Sequence, residues 1–205
     1  MGKIQIIGVA GTNGAGKDTV GHILAEHHGY LFVSVTELLR KEAERRNLPV
    51  ERGVLRTISA EWRRALGLGV LVDKAVAEYE TVKDKYAGVV LASLRNPGEA
   101  DRVHALGGTV IWVDADPRVR YDRIQKARVE RGRAGEDDKT FEQFQKEEAE
   151  EMNRSGDSAT LNMAAVKQRA DISISNDDSG VEKFRHDLEQ ALRLSGSEDT
   201  DRTGD

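Results

Sequence analysis

The stretch Gly11-Thr12-Asn13-Gly14-Ala15-Gly16-Lys17-Asp18-Thr19 constrains this chain more than any other. Its glycines let the backbone take positive φ and curl, so that successive N–H groups point inward at an anion. A strand-like apolar run at residues 4–10 leads into it, and a helical pattern at 17–28 leads out. A helix that opens there adds the positive end of its dipole. The spacing matches G-x-x-x-x-G-K-[ST], except that Asp18 stands where Ser or Thr is usual. Lys17 reaches the β- and γ-phosphates of a nucleoside triphosphate, and Gly11, Asn13, Gly14, Ala15, Gly16, Asp18 and Thr19 complete the cradle. The hydroxyl that normally follows the lysine holds Mg²⁺. Asp18 offers a hard oxygen in its place, directly or through water, and Thr19 a hydroxyl one step on. A dinucleotide-type glycine turn does not fit, because Lys follows the last glycine and Val33-Ser34-Val35-Thr36 ends the second apolar run without an acid.

Further strand candidates lie at residues 30–35, 88–93, 109–114 and 171–175, several of them nearly continuous in Val, Ile and Leu. That pattern suits a sheet covered on both faces. Helical stretches alternate with them at 17–28, 36–46, 52–86 (in two pieces), 99–106, 118–126 and 180–194. The rhythm predicts an α/β, three-layer fold: a five-stranded parallel sheet with helices on both faces. With 205 residues the chain suits a single domain, here residues 1–194. Two regions exceed a simple crossover, 36–86 and 126–168. Both read as flaps over the C-terminal edge of the sheet, or else as ordinary helical hairpins. The acidic, small-residue-rich tail, 195–205, reads as disordered. A net charge of −5 gives no electrostatic case for nucleic acid or membrane as partner. No apolar run approaches the roughly 20 residues that span a bilayer. With no cysteine and no signal-peptide anatomy, the expected address is the cytoplasm.

The chain resembles the nucleotide-kinase branch of P-loop proteins, with adenylate kinases and dephospho-CoA kinases, and within it a mainly archaeal dephospho-CoA-kinase-like group. Besides the phosphate loop, the likeness rests on Ser34-Val35-Thr36-Glu37-Leu38-Leu39-Arg40-Lys41-Glu42-Ala43-Glu44-Arg45-Arg46 and Leu94-Arg95-Asn96-Pro97-Gly98-Glu99-Ala100. It continues through Arg131-Gly132-Arg133, Thr140-Phe141-Glu142-Gln143-Phe144 and Ala170-Asp171-Ile172-Ser173-Ile174-Ser175-Asn176-Asp177, and covers most of residues 3–194. The resemblance implies ATP and Mg²⁺, with γ-phosphate transfer to a nucleotide-like acceptor by a monomer or homodimer. It implies 36–86 as the acceptor-binding insertion and 126–168 as the lid. The acceptor it favours is a nucleoside or deoxynucleoside monophosphate. Dephospho-CoA is the alternative, and a slow nucleotide-dependent switch without small-molecule acceptor is the rival of another class.

Residue by residue, the resemblance makes Arg40 a ligand of the acceptor's phosphate, a task that suits the bidentate guanidinium fork. The competing reading is a surface arginine on a charged helix. Arg95 takes a similar role, or else pairs with Glu99 one helical turn on. Arg128, Arg131 and Arg133 stand where lid arginines close over the phosphates, or form a solvated loop balanced by Glu147-Glu148-Ala149-Glu150-Glu151. Asn176 falls where relatives line the adenine pocket, and equally suits a cap or turn. Ordinary structural roles are expected for His27 and His28 at a helix end, Trp62 in packing, and Asp116-Pro117 at a helix start. Two departures stand out. The third strand has Ala92 where relatives place an acid, and no His-Pro element of the dephospho-CoA-kinase kind occurs between the second and fourth strands.

Overall fold

The structure is a computed structural model that describes residues 6–127, 138–152, 156–177 and 180–194. Strands β1 (Ile6–Gly11), β2 (Tyr30–Ser34), β3 (Gly88–Ala92), β4 (Thr109–Asp114) and β5 (Ile172–Ser175) form one sheet. Their order is β2-β3-β1-β4-β5, and every adjacent pair is parallel. The central strand therefore has both ladders filled: Gly8 lies opposite Leu91 on one side and Val110 on the other.

Side chains on a strand alternate between faces, and here both faces are dry. Ile7 and Val9 join a cluster with Val20, Leu24, Ile111, Phe184 and Leu188, beneath α1 (Lys17–His28) and α9 (Val181–Leu192). Ala10, with Leu91 and Trp112, faces the opposite cluster. That cluster is covered by α2 (Val35–Arg45), α3 (Arg52–Leu66), α4 (Val70–Glu80), α5 (Pro97–Ala105) and α8 (Met163–Lys167). Helix α6 (Pro117–Ala127) and helix α7 (Phe141–Met152) lie against each other beside the phosphate loop. The three-layer α/β fold read from the sequence is the one observed.

Element ends follow local chemistry. Helix α5 begins at Pro97, two residues before the expected start, because Asn96 and Glu99 form a capping box and proline needs no N–H at the first position. Asp116 accepts from Arg118 N at 2.8 Å and Val119 N at 3.4 Å, the cap predicted for α6. Residues 52–86 divide into α3, α4 and a 3-10 turn at Lys83–Lys85, and 126–168 contains α7 and α8. The predicted lid arginines Arg128, Arg131 and Arg133 lie outside the described residues, as does the 195–205 tail. Among the described residues no helix is long and apolar enough to cross a membrane.

Candidate functional site: the phosphate loop and an arginine-lined cavity

The strand order reverses around β1, so the loop leaving it emerges between the ends of β3 and β4. Gly11 (φ 146°) and Gly16 (φ 101°) hold conformations that side-chain-bearing residues rarely adopt. Space forbids a side chain too: a Cβ on Gly11 would sit 2.0 Å from the Val113 carbonyl oxygen, and one on Gly16 2.5 Å from Asn176 Nδ2. The Asn176 amide donates to the Ala15 carbonyl at 2.8 Å, while its own N–H bonds Asp114 O at 2.8 Å. Asn176 thus braces the outside of the loop from the end of β5. It is not the cap of α9, whose N-cap is Gly180.

Lys17 donates to the loop's own carbonyls, Thr12 O at 2.6 Å and Gly11 O at 3.0 Å. Burial is the main force on its ammonium. With help from Arg95 and then Arg120 it outweighs Asp18 and Glu151, lowering the pKa from 10.5 to about 7. Asp18 is exposed in the first turn of α1, with Thr19 half-buried beside it.

Sequence reasoning missed the groups that clamp the loop tip. Asp114, at the end of β4, accepts from Thr12 Oγ1 at 2.7 Å. Burial works against its charge, but hydrogen bonds from Thr12, Trp112 and the Ala115 N–H, with Arg120 nearby, hold its carboxyl below the ordinary value. Arg120, buried on α6, donates to Asn13 O at 3.3 Å and Ala115 O at 2.7 Å, and its fork meets both oxygens of Glu148. The Asn13 side chain is spent as well. Its Oδ1 accepts from Arg95 Nη2 at 3.1 Å, and its Nδ2 donates to Glu151 Oε2 at 3.4 Å. The one sequence signal for Asp114 was its position, an acid ending a strand beside the loop. Arg120 and Glu148 carried none.

Beside Asn13 opens a cavity of about 300 Å³ between the ends of β2 and β3, α2, α3 and residues 159–161. Arg40, Arg52, Arg56, Arg63, Arg64 and Arg95 line it, with Val35, Leu39, Leu55 and Leu161 among its apolar walls. None of its lining residues is acidic; the acids that pair with these arginines, Glu37, Glu99, Glu151 and Asp157, are not part of the lining. Arg40 pairs with Glu37 at 3.4 Å on its outer side, while its Nε is buried and has no hydrogen-bond partner. Arg45 and Arg46 pair instead with Glu42 on the outer face of α2.

The expected alternative for Arg95, an ion pair with Glu99, is not the one observed. Glu99 is fully buried, and its Oε1 takes Arg63 Nη2 at 2.7 Å and Nε at 3.1 Å. Its Oε2 takes the backbone N–H groups of Arg95 at 2.7 Å and Asn96 at 3.0 Å. The Asn96 amide adds bonds to Ser158 O and Thr160 O. Glu99 therefore fixes the backbone of the turn and leaves the Arg95 guanidinium for Asn13 and Glu151. Trp62 lies outside the cavity lining and packs against the core, with Lys74 Nζ 4.3 Å from its ring. His28 bonds Glu189 at 3.0 Å and ties α1 to α9.

Known proteins share this framework. A family model described as AAA domain matches residues 7–153. A UPF0200 protein of Pyrobaculum aerophilum is 32% identical over 193 residues, 92% of this chain and 97% of that protein. A UPF0200 protein of Pyrococcus abyssi is 30% identical over 193 residues, 92% and 96% of the two chains. Among solved structures, shikimate kinase from Bacteroides thetaiotaomicron superposes with a TM-score of 0.59 at 16% identity, over 93% of this chain and 99% of that one. At that identity the superposition speaks for the fold, a P-loop kinase fold. By the family match and the two relatives, the chain belongs to the AAA domain family and to the UPF0200 proteins.

Proposed function

We propose that this protein is an ATP-dependent phosphotransferase that moves the γ-phosphate to a small anionic acceptor, a nucleoside or deoxynucleoside monophosphate. One observation carries the reading: an arginine-lined cavity, Arg40 and Arg95 among its walls, opens beside Asn13 at the tip of the phosphate loop. Donor and acceptor sites of a kinase must adjoin in this way, since phosphoryl transfer is catalysed chiefly by positioning and positive charge. Gly11, Asn13, Gly14, Ala15, Gly16, Lys17 and Thr19 take the triphosphate, and Arg40 and Arg95 the acceptor's phosphate. Arg128, Arg131 and Arg133 complete the charge over the transferring group.

Magnesium fits the residues present. No group of three or more metal-ligating side chains occurs among the described residues. The protein thus offers the Asp18 carboxylate and the Thr19 hydroxyl, and phosphates and water supply the remaining oxygens, as this ion prefers. When bound, it offsets charge on the β- and γ-oxygens.

A phosphate acceptor is favoured over a hydroxyl. A hydroxyl calls for a carboxylate free to take its proton, whereas β3 ends in Ala92 and Glu151, between the cavity and the loop tip, is held by Arg56 and Arg95. The deciding assay supplies ATP·Mg²⁺ with nucleoside monophosphates, deoxynucleoside monophosphates, dephospho-CoA or small polyols, and reads the phosphorylated product. Formation of a nucleoside diphosphate supports the proposal. ADP release that is the same with every acceptor, and with none, would refute it in favour of a switch NTPase.

A further inference from the structure

The cavity and the phosphate loop meet at a carboxylate that belongs to neither. Glu151 sits near the C-terminal end of α7 with a side-chain exposure of 12%. Its Oε1 accepts from Arg56, and its Oε2 from Arg95 Nη1 at 3.1 Å and Asn13 Nδ2 at 3.4 Å. These donors come from three separate places: α3, the turn after β3, and the tip of the phosphate loop. Arg52 and Lys17 add positive potential. Burial opposes the charge on Glu151, yet Arg95, Arg56, Arg52 and Lys17 together hold its carboxyl below the ordinary value, so it is an anion throughout the neutral range.

Two planar guanidinium forks and an amide converging on two oxygens make an arrangement that a phosphate satisfies as readily as a carboxylate. The arginine set is also larger than Glu151 consumes, since Arg40 lines the same cavity and does not contact Glu151. We propose that Arg56, Arg95 and the Asn13 side-chain amide form a subsite for a phosphate monoester dianion, and that Glu151 is the internal anion which fills it until the ligand displaces it. This rests on the phosphotransferase reading and deepens it, because it adds Arg56 and the Asn13 amide to Arg40 and Arg95 around the acceptor's phosphate and names what that phosphate must expel. Displacement has a mechanical consequence. Glu148 lies one turn from Glu151 on α7 and grips Arg120, which itself donates to Asn13 O. Displacing Glu151 takes its bond from Asn13 Nδ2 while the Glu148–Arg120 hold on Asn13 O stays, so one of the two ties on the loop tip passes to the acceptor.

The test is calorimetric titration of inorganic phosphate into the parent, Glu151→Gln, Glu151→Asp and the double variant Arg56→Ala/Glu151→Gln, each confirmed as folded by circular dichroism. Since phosphate also suits the phosphate loop, the series is repeated with Lys17→Ala, which removes the loop's cation. Glu151→Gln should bind phosphate about tenfold more tightly than the parent, about 1.4 kcal/mol from losing the competing anion between Arg56 and Arg95. Glu151→Asp, which keeps the charge on a shorter arm, should fall between the two. The gain should persist with Lys17→Ala and vanish with Arg56→Ala. Equal or weaker phosphate binding by Glu151→Gln, or a gain that survives loss of Arg56, overturns the proposal. Phosphate binding needs no turnover, so a panel without product would sink the phosphotransferase reading alone. Turnover of monophosphates without a gain in Glu151→Gln would sink only the subsite.

Discussion

The lysine of the phosphate loop should make nucleotide binding take up a proton. Lys17 is buried against the carbonyls of Gly11 and Thr12, and its pKa lies at about 7. A triphosphate bound there places several negative charges beside the ammonium and restores an ordinary lysine pKa, so the complex holds the proton that the free protein has lost. At pH 8 the free protein carries that proton on about 0.1 of its molecules, and binding takes up about 0.9 proton. Between pH 7 and the restored pKa, affinity should fall about tenfold per pH unit, or about 1.4 kcal/mol. Between about pH 7.5 and 8.5 a terminal phosphate, with its second pKa near 6, contributes almost no proton of its own.

Folding gives the same linkage with the opposite sign. The unfolded chain, with Lys17 near 10.5, binds more protons than the native one, so the Lys17 contribution to stability rises with pH from about 7 to 10.5. Calorimetry at pH 8 in buffers of different ionisation enthalpy measures the uptake directly. Lys17→Arg, whose guanidinium stays protonated throughout, should abolish it. Uptake below about 0.2 proton in the parent, or equal uptake in Lys17→Arg, would refute the coupling.

Three further substitutions probe the frame of the site. Glu99→Ala strands a buried Arg63 and frees the Arg95 turn, so urea denaturation should show a loss of about 3–5 kcal/mol. A loss under 1 kcal/mol would mean that water or the Ala159 carbonyl satisfies the arginine. Asn176→Ala removes the bond to Ala15 O and should cost about 1 kcal/mol in thermal denaturation, with weaker nucleotide binding. Unchanged binding would confine Asn176 to a stability role. Ser93, at φ 78° where β3 gives way to the cavity, carries strain that glycine relieves. Ser93→Gly should therefore stabilise the fold by about 1 kcal/mol, and a decrease would show that its hydroxyl is needed where it stands.

The phosphate loop was legible in the sequence because its requirement is local. Only glycine supplies the φ of 146° at Gly11 and 101° at Gly16, and the lysine that follows names the ligand class. The parallel sheet was legible because dry faces on both sides demand runs such as Gly88–Ala92, buried at every position. Strand order was not, since nothing in a helix's sequence says over which neighbour it returns its chain. The arginines were half legible. Arg40 and Arg45 stand on one helix with the same chemistry, and only the fold aims one into a cavity and the other at Glu42 on an outer face.

The acids show why the rest was hidden. Ala92 removed the carboxylate expected beside the loop, and the sequence offered Asp18 as its replacement, two positions beyond Gly16 in the phosphate loop itself. The fold brings others. Asp114 arrives on β4, the opposite flank of β1, and Glu151 from a helix 95 residues beyond the arginine it binds. Neither has a local signature, since an acid ending a strand and an acid in a glutamate-rich helix are both commonplace. What distinguishes Glu151 is that burial opposes its charge while Arg95 and Arg56 sustain it, and that balance depends on elements far apart in sequence. A site made of phosphate-binding cations needs its counter-charge somewhere when the ligand is away. In this chain the same acid that keeps Arg56 and Arg95 in place must also compete with whatever anion they are placed to receive.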